Sequence, residues 1–331
     1  ITDDGRAIVY TGTSPHGQGH DTAWSILVQE QTGIPMDRVE LVWGDTDLVP
    51  IGTGTMGSRS LQQGGNAVFQ VAGTLTEKAK AVAARLLEAN EADVVLDKGR
   101  GVFHVAGTPA VSKTWADLAV AEKGNGGLKH DDVIGVPGAT FPFGAHVAVV
   151  EVDTETGHVR VTKMVNVADG GKLINPKIAK TQLSGGAVMQ LGFTLTENME
   201  FDGGQVTNAS FADYKIPGFR DVPPMESEYV SATTEAGPFG AKGVGESGLA
   251  DDDSEDHHAQ QPGEAGHGRS DGDDHRVLEH SPIVKRQQQT RDNRSVCDRN
   301  TVPMPTFRVR PTRLGHLWAI ALNPCNRSGT D

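Results

Sequence analysis

Cysteine is nearly absent: 331 residues hold two, Cys297 and Cys325. Two thiols make neither a disulfide framework nor a four-cysteine zinc site. Long apolar runs are missing as well. The longest, Leu314 to Leu322, contains His316 and falls far short of the ~20 residues of a membrane-spanning helix. Basic residues are scarce beside acidic ones, 30 Lys+Arg against 43 Asp+Glu, for a formal charge of −13. A polyanion needs a concentrated Lys/Arg surface, so no nucleic-acid partner is expected. The opening Ile1-Thr-Asp-Asp-Gly has neither the basic nor the apolar region of a secretion signal, and a cytoplasmic location is expected. No serine-hydrolase elbow, Walker loop or zinc-spaced His/Cys set occurs. His16 and His20 stand four apart without a third ligand at zinc spacing, so no metal is expected to bind directly to side chains.

Glycine is what the chain has in excess: 41 of 331 residues, about 12% against a usual ~7%. Thirty-five of the 41 precede residue 250. Composition breaks there. Residues 250–331 carry 13 acidic and 11 basic residues and half of the twelve histidines, and open Asp251-Asp-Asp-Ser-Glu-Asp-His-His. They show neither strand nor helix periodicity and resemble a disordered segment. The length allows two domains, or one with an appendage. The expected division is 1–249, a folded region, and 250–331, a low-order tail. Because strand patterning begins at once with Arg6-Ala-Ile-Val-Tyr10, the chain is expected to start inside a larger fold.

Within 1–249 the pattern is mixed. Ala7–Thr11, Val39–Trp43, Val102–Val105, His146–Val152 and Val159–Val167 read as strands. Thr22–Thr32, Ser60–Leu87 and Pro176–Gly192 carry helical spacing, and Asn175 before Pro176 is a start signal. The expected fold class is α+β. Glycine-rich loops adjoin the starts of two of these helices, where backbone N–H groups lack partners and an anion can approach.

Three loops stand out. Gly12-Thr-Ser-Pro-His-Gly-Gln-Gly-His-Asp-Thr22 is either a tight strand-to-helix connection or a ligand cradle. Gly52-Thr-Gly-Thr-Met-Gly-Ser-Arg-Ser60 contains a formal G-x-G-x-x-G, but the acidic residue at dinucleotide spacing, Glu77, sits in a helical pattern, so that fingerprint is rejected. Gly237-Pro-Phe-Gly-Ala-Lys-Gly-Val-Gly-Glu-Ser-Gly248 places Glu246 between glycines, with Lys242 four positions earlier. Most loop glutamates are simply solvated; one flanked so closely by glycine can sit against a ligand.

Taken as an ordered set, these motifs are specific. Gly17-Gln-Gly-His-Asp-Thr22, Gly44-Asp-Thr46, Gly57-Ser-Arg-Ser60, Ile174-Asn-Pro176, Val188-Met-Gln-Leu-Gly192, Asp213-Tyr-Lys-Ile-Pro217 and Gly240-Ala-Lys-Gly-Val-Gly-Glu246 follow one another over residues 1–249. The chain resembles the molybdenum-binding large subunit of the xanthine dehydrogenase, aldehyde oxidase and carbon monoxide dehydrogenase family. It looks closest to bacterial carbon monoxide dehydrogenase-like large chains, in their second molybdopterin-binding region.

The resemblance implies an oxidoreductase that hydroxylates an aldehyde, an N-heterocycle or carbon monoxide with oxygen from water. Its cofactor would be molybdenum-molybdopterin cytosine dinucleotide, the metal being held through the pterin dithiolene. Gly17, Gln18, Gly19, His20 and Thr22, with Gly57, Ser58, Arg59 and Ser60, would hold the dinucleotide. Gln190 would bond the pterin or the molybdenum oxo group, and Lys242, Gly243, Val244 and Gly245 would line the cofactor. Glu246 matches the catalytic base, which takes the proton of the attacking oxygen and works best when burial raises its pKa. Electrons would leave through FAD and [2Fe-2S] clusters on a medium and a small partner subunit. The N-terminal half of the large subunit, with the substrate-side loop, would be a further partner.

Departures from the family pattern are plain. Both cysteines lie in the tail, so no copper ligand is present where carbon monoxide dehydrogenases carry one. Asp169-Gly-Gly171 replaces the frequent Asp-Cys-Gly, and the alanine-rich helix expected after Leu249 is missing. A shifted reading frame beyond residue 249 accounts for that last change. An inactive remnant that binds no cofactor and a nucleotide-binding module without molybdenum remain as alternatives.

Overall fold

The computed structural model describes residues 1–249, except Pro50, Thr53, Val136, Pro137, Ala139 and Thr233, together with the backbone of His316–Asn323. Strand β1 (Ala7–Tyr10) leads through helix α1 (His20–Thr32) to strand β2 (Val39–Val42), which pairs parallel to β1 with Ala7 opposite Val39. This is the crossover that parallel pairing requires. Gly33 ends α1 in the left-handed conformation, its N–H donating to the carbonyl of Gln29.

Helix α2 (Asn66–Leu86) follows one π-type turn, Leu61–Gly65. Its buried positions, including Val68, Ala72, Ala79 and Val82, recur at three to four residues and pack on α1. The main core forms here, with Trp24, Leu27, Phe103 and Leu118 almost fully buried. Strands β3 (Val94–Asp97), β4 (Val102–Val105) and β5 (Thr108–Thr114) make an antiparallel meander against it. Helix α3 (Trp115–Glu122) then starts on a reciprocal capping box, Thr114 with Asp117.

A second layer is built on β6 (Gly144–Val152) and β7 (Val159–Asp169), an antiparallel pair. Helix α4 (Pro176–Leu195) leaves β7 through a glycine turn and lies over the sheet, burying Met164, Ala187 and Leu191 together. Asn175 caps it, its side chain accepting from the N–H of Ile178 at 3.3 Å. A short hairpin of β8 (Phe201–Asp202) and β9 (Gln205–Val206) precedes β10 (Met225–Val230), which returns parallel to β7.

All five expected strands and all three expected helices are present, and the mixed α+β class holds. The tail expectation needs one correction. Residues 316–323 form strand β11, antiparallel to β6 from His316 opposite Glu151 to Asn323 opposite Gly144. Eight residues carry enough backbone N–H and C=O groups to complete a sheet edge whatever the periodicity around them. The rest of the tail, with Cys297, Cys325 and the inferred frame change, lies outside the described residues.

Candidate functional site

The loop after β1 turns on Thr11 and Thr13, whose hydroxyls meet at 2.9 Å, and Trp24 Nε1 donates to Thr13 Oγ1 at 3.1 Å. These contacts pin the loop to the first turns of α1. Gly17 and Gly19 both have positive φ, and Gly19 at the N-cap offers no side chain to the first N–H groups of the helix. His20 opens the helix, buried and stacked on Trp24 with 4.8 Å between ring centroids. Its Nδ1 is buried without a partner. Burial lowers the His20 pKa, the charge of Asp21 opposing and that of His16 adding to the effect, so the neutral ring is favoured.

A second loop presses against a third. Gly57 and Ser58 both lie in the left-handed region, at φ 61° and 53°. A methyl group on Gly243 would stand 1.7 Å from the carbonyl oxygen of Ser58, so only glycine permits this approach. Glu246 Oε1 accepts from the N–H of Gly57 at 3.2 Å, and Oε2 accepts from Ser58 Oγ at 3.2 Å. The same loop leans on α4, where Gln182 Nε2 donates to the carbonyl of Gly245 at 2.6 Å.

These segments enclose a cavity of about 590 Å³, within the usual range for ligand sites. Of the residues singled out in the sequence, Gly17, Gln18, Gly19, His20, Ser58, Ser60, Lys242, Val244, Gly245 and Glu246 line it. Gly57 and Gly243 stand one residue behind, holding Glu246 and the loop contact. Arg59 does not line the cavity; its carbonyl accepts from the N–H of Gln63 at 2.8 Å.

Two more of the expected residues lie away from the cavity. Gln190 is not at the cavity: it lies eight residues beyond Gln182, ~12 Å further along the helix. Its Nε2 faces Thr194 Oγ1 at 3.5 Å. Gln182 lines the cavity. Thr22 follows His20 by about 200° of helical rotation and is exposed on the outer face of α1. Glu246 is exposed, with loop 57–58 covering it on one side only.

Lys242 also differs in detail. It lines the cavity, but its ammonium pairs with Asp169 Oδ2 at 2.5 Å. Burial pushes Asp169 up; the Lys242 ammonium and the N–H groups of Ala232 and Gly171 outweigh it and hold the carboxyl below its ordinary value. Among the described residues lining the cavity, Lys172 is the lysine without a salt bridge, and it escaped the sequence reading. Thr181 and Gln182 were missed too, and Asn175 was read as a helix start and motif residue, without a place at the site. The α4 start signal and the i, i+4, i+7 spacing of Ile178, Gln182 and Gly185 were the cues available for them.

The residues fit a molybdopterin cofactor: the uncapped start of α1 offers N–H donors suited to a phosphate, Lys172 offers a cation, and the orphaned Nδ1 of His20 suits a polar ligand.

The sequence model of the molybdopterin cofactor-binding domain matches residues 1–223. The chain is 34% identical over 250 residues to the carbon monoxide dehydrogenase large chain of Afipia carboxidovorans, covering 73% of this chain and 31% of that protein. It is 32% identical over 255 residues to the nicotine 6-hydroxylase large subunit of Paenarthrobacter nicotinovorans, covering 74% and 31%. Its fold is similar to that of Cu,Mo-CO dehydrogenase in the carbon monoxide reduced state, with a TM-score of 0.69 at 34% identity over 75% of this chain and 32% of that one. The chain belongs to the molybdopterin cofactor-binding family of oxidoreductases, of the xanthine dehydrogenase and carbon monoxide dehydrogenase type. It spans about a third of the length of these curated relatives. Neither the cofactor-free remnant nor the molybdenum-free nucleotide module is favoured by these matches. Among the described residues, no helix is long and apolar enough to cross a membrane.

Proposed function

We propose that this chain is the cofactor-side part of a molybdenum hydroxylase that oxidises an aldehyde, an N-heterocycle or carbon monoxide with oxygen from water. One observation carries the reading: among the described residues lining the cavity, Glu246 is the one carboxylate, and it faces the loops that suit a dinucleotide. The family of the chain and the relatives' names support it.

When bound, molybdenum-molybdopterin cytosine dinucleotide supplies the two-electron redox chemistry. The start of α1, with Gln18, Gly19 and His20, holds the phosphates, and Ser60 and Lys172 close the same end. Gln182 and the backbone of 243–245 position the pterin. Glu246 takes the proton of the oxygen nucleophile; the N–H of Gly57 and the hydroxyl of Ser58 occupy one side of its carboxylate and leave lone pairs on both oxygens. FAD and [2Fe-2S] subunits receive the electrons in a cytoplasmic assembly completed by the N-terminal half of the large subunit.

Glu246→Gln in the assembled, molybdenum-loaded enzyme tests this. Molybdenum content is expected to stay while turnover falls ~10²–10⁴-fold, because an amide does not accept the proton. Near-normal turnover removes Glu246 from the mechanism.

A further inference from the structure

Glu246 is held by a single neighbour through both its main chain and its side chain. Its backbone N–H donates to Ser58 Oγ at 2.7 Å, and the same hydroxyl donates to Glu246 Oε2 at 3.2 Å. The N–H of Gly57 adds a third bond, to Oε1 at 3.2 Å. Residues 58 and 246 are far apart in sequence, so this clasp exists only because two loops meet. Their meeting is close: a methyl group on Gly245 would stand 3.3 Å from Ser58 Oγ.

Ser58 holds this place at a cost. Its φ of 53° lies in the region that residues with a Cβ adopt reluctantly, whereas glycine enters it freely. Glycine would serve the backbone better here, and the strand-to-helix loop around it uses glycine at 52, 54 and 57. What glycine lacks is the hydroxyl. The serine is therefore explained by what its oxygen touches, and among the described residues that is Glu246.

We propose that Ser58 is a positioning residue for Glu246, its hydroxyl setting the direction in which the carboxylate meets the reacting atoms. This is a role beyond contact with the dinucleotide, and it rests on the reading of Glu246 as the base. Each carboxylate oxygen keeps a free lone pair after accepting its bond, so the clasp aims the group without blocking proton uptake. The hydroxyl accepts from the main chain of Glu246 while donating to its side chain, which couples the path of the loop to the direction of the carboxylate.

Ser58→Gly separates this role from a structural one, because it removes the hydroxyl and relieves the backbone. In the full large subunit within its loaded complex, thermal stability is expected to hold or rise. The backbone N–H of Glu246, having lost its acceptor, is expected to exchange with deuterium roughly tenfold faster, and kcat to fall roughly tenfold to a hundredfold with KM little changed. Ser58→Asn, which tolerates the same φ and restores a donor, is expected to recover part of kcat. Either kcat or amide exchange remaining at wild-type level in Ser58→Gly overturns the assignment. Wild-type turnover in Glu246→Gln would instead overturn the base reading, so the two failures are distinguishable.

Discussion

The ammonium of Lys242 stands 2.5 Å from Oδ2 of Asp169, with side-chain exposures of 7% and 8%. The pair ties the loop that carries Glu246 to the end of β7. It explains how a glycine-rich segment, with little side-chain packing of its own, keeps one position beside the cavity. Asp169 is held further by the N–H groups of Gly171 at 2.9 Å and Ala232 at 3.0 Å, so its lone pairs are well used.

Removing one member of a buried pair leaves an uncompensated charge, which costs ~3–5 kcal/mol. Lys242→Met is expected to destabilise the protein by about that amount in denaturant unfolding. Adding Asp169→Asn, which removes the stranded charge and keeps an acceptor, is expected to restore part of the loss. Equal stability of the single and double variants would show that the ion pair is not what holds the loop.

Acidity acts on the same pair and on His20, in windows set by their ordinary values. Asp169 is held below 3.8, so its contribution is present above that value and is lost as pH falls through the lower folded one. His20 is held below 6.5 by burial. The unfolded chain therefore takes up its proton first, and stability declines as pH falls below 6.5. Melting temperatures across this range are expected to decline less steeply in His20→Gln than in the parent.

Two glutamines on α4 make a position-specific test. Gln182→Ala is expected to weaken retention of the molybdenum cofactor about tenfold, the worth of one good hydrogen bond. Gln190→Ala is expected to leave molybdenum content unchanged. Metal analysis of the purified complexes checks both, and the reverse order would return the role to Gln190.

Two glycines are expected to respond in opposite directions. Gly243→Ala drives a methyl group into the carbonyl of Ser58, 1.7 Å away, and is expected to cost 1–3 kcal/mol or somewhat more. Gly185→Ala lies within α4, where nothing stands within 4 Å of the added carbon, and is expected to gain roughly 0.5–1 kcal/mol from helix propensity. Because Gly185 lines the cavity, that gain should come with lower cofactor content. Unfolding curves read with metal analysis give both quantities.

Strong periodicity was readable: β1, β2, β4, β6, β7 and the three long helices follow from runs of branched residues and from three-to-four spacing. The elements that escaped notice had weaker or overlooked cues. Strand β5 is mostly exposed and carries Pro109, so no hydrophobic pattern marks it. Strand β10 alternates half-buried and exposed along Met-Glu-Ser-Glu-Tyr-Val, and α3 announces itself by Thr114 and Asp117; both patterns were present and passed over.

Local chemistry in the chain determined which loops are built for close approach of a ligand, because a run of glycines has the same conformational freedom wherever it falls. The ordered motifs likewise determined the family. Which side of each helix meets the cavity was decided only by tertiary packing. Thr22 and Gln190 sit in the right motifs, yet helical rotation and rise carry them away, while Gln182 and Lys172 are carried in. The partnerships of Ser58 with Glu246 and of Lys242 with Asp169 join residues whose sequence separation hides any relation. Each is a product of two loops brought within hydrogen-bonding distance by the packing of α4 on its sheet and the crossing of backbone at Gly243.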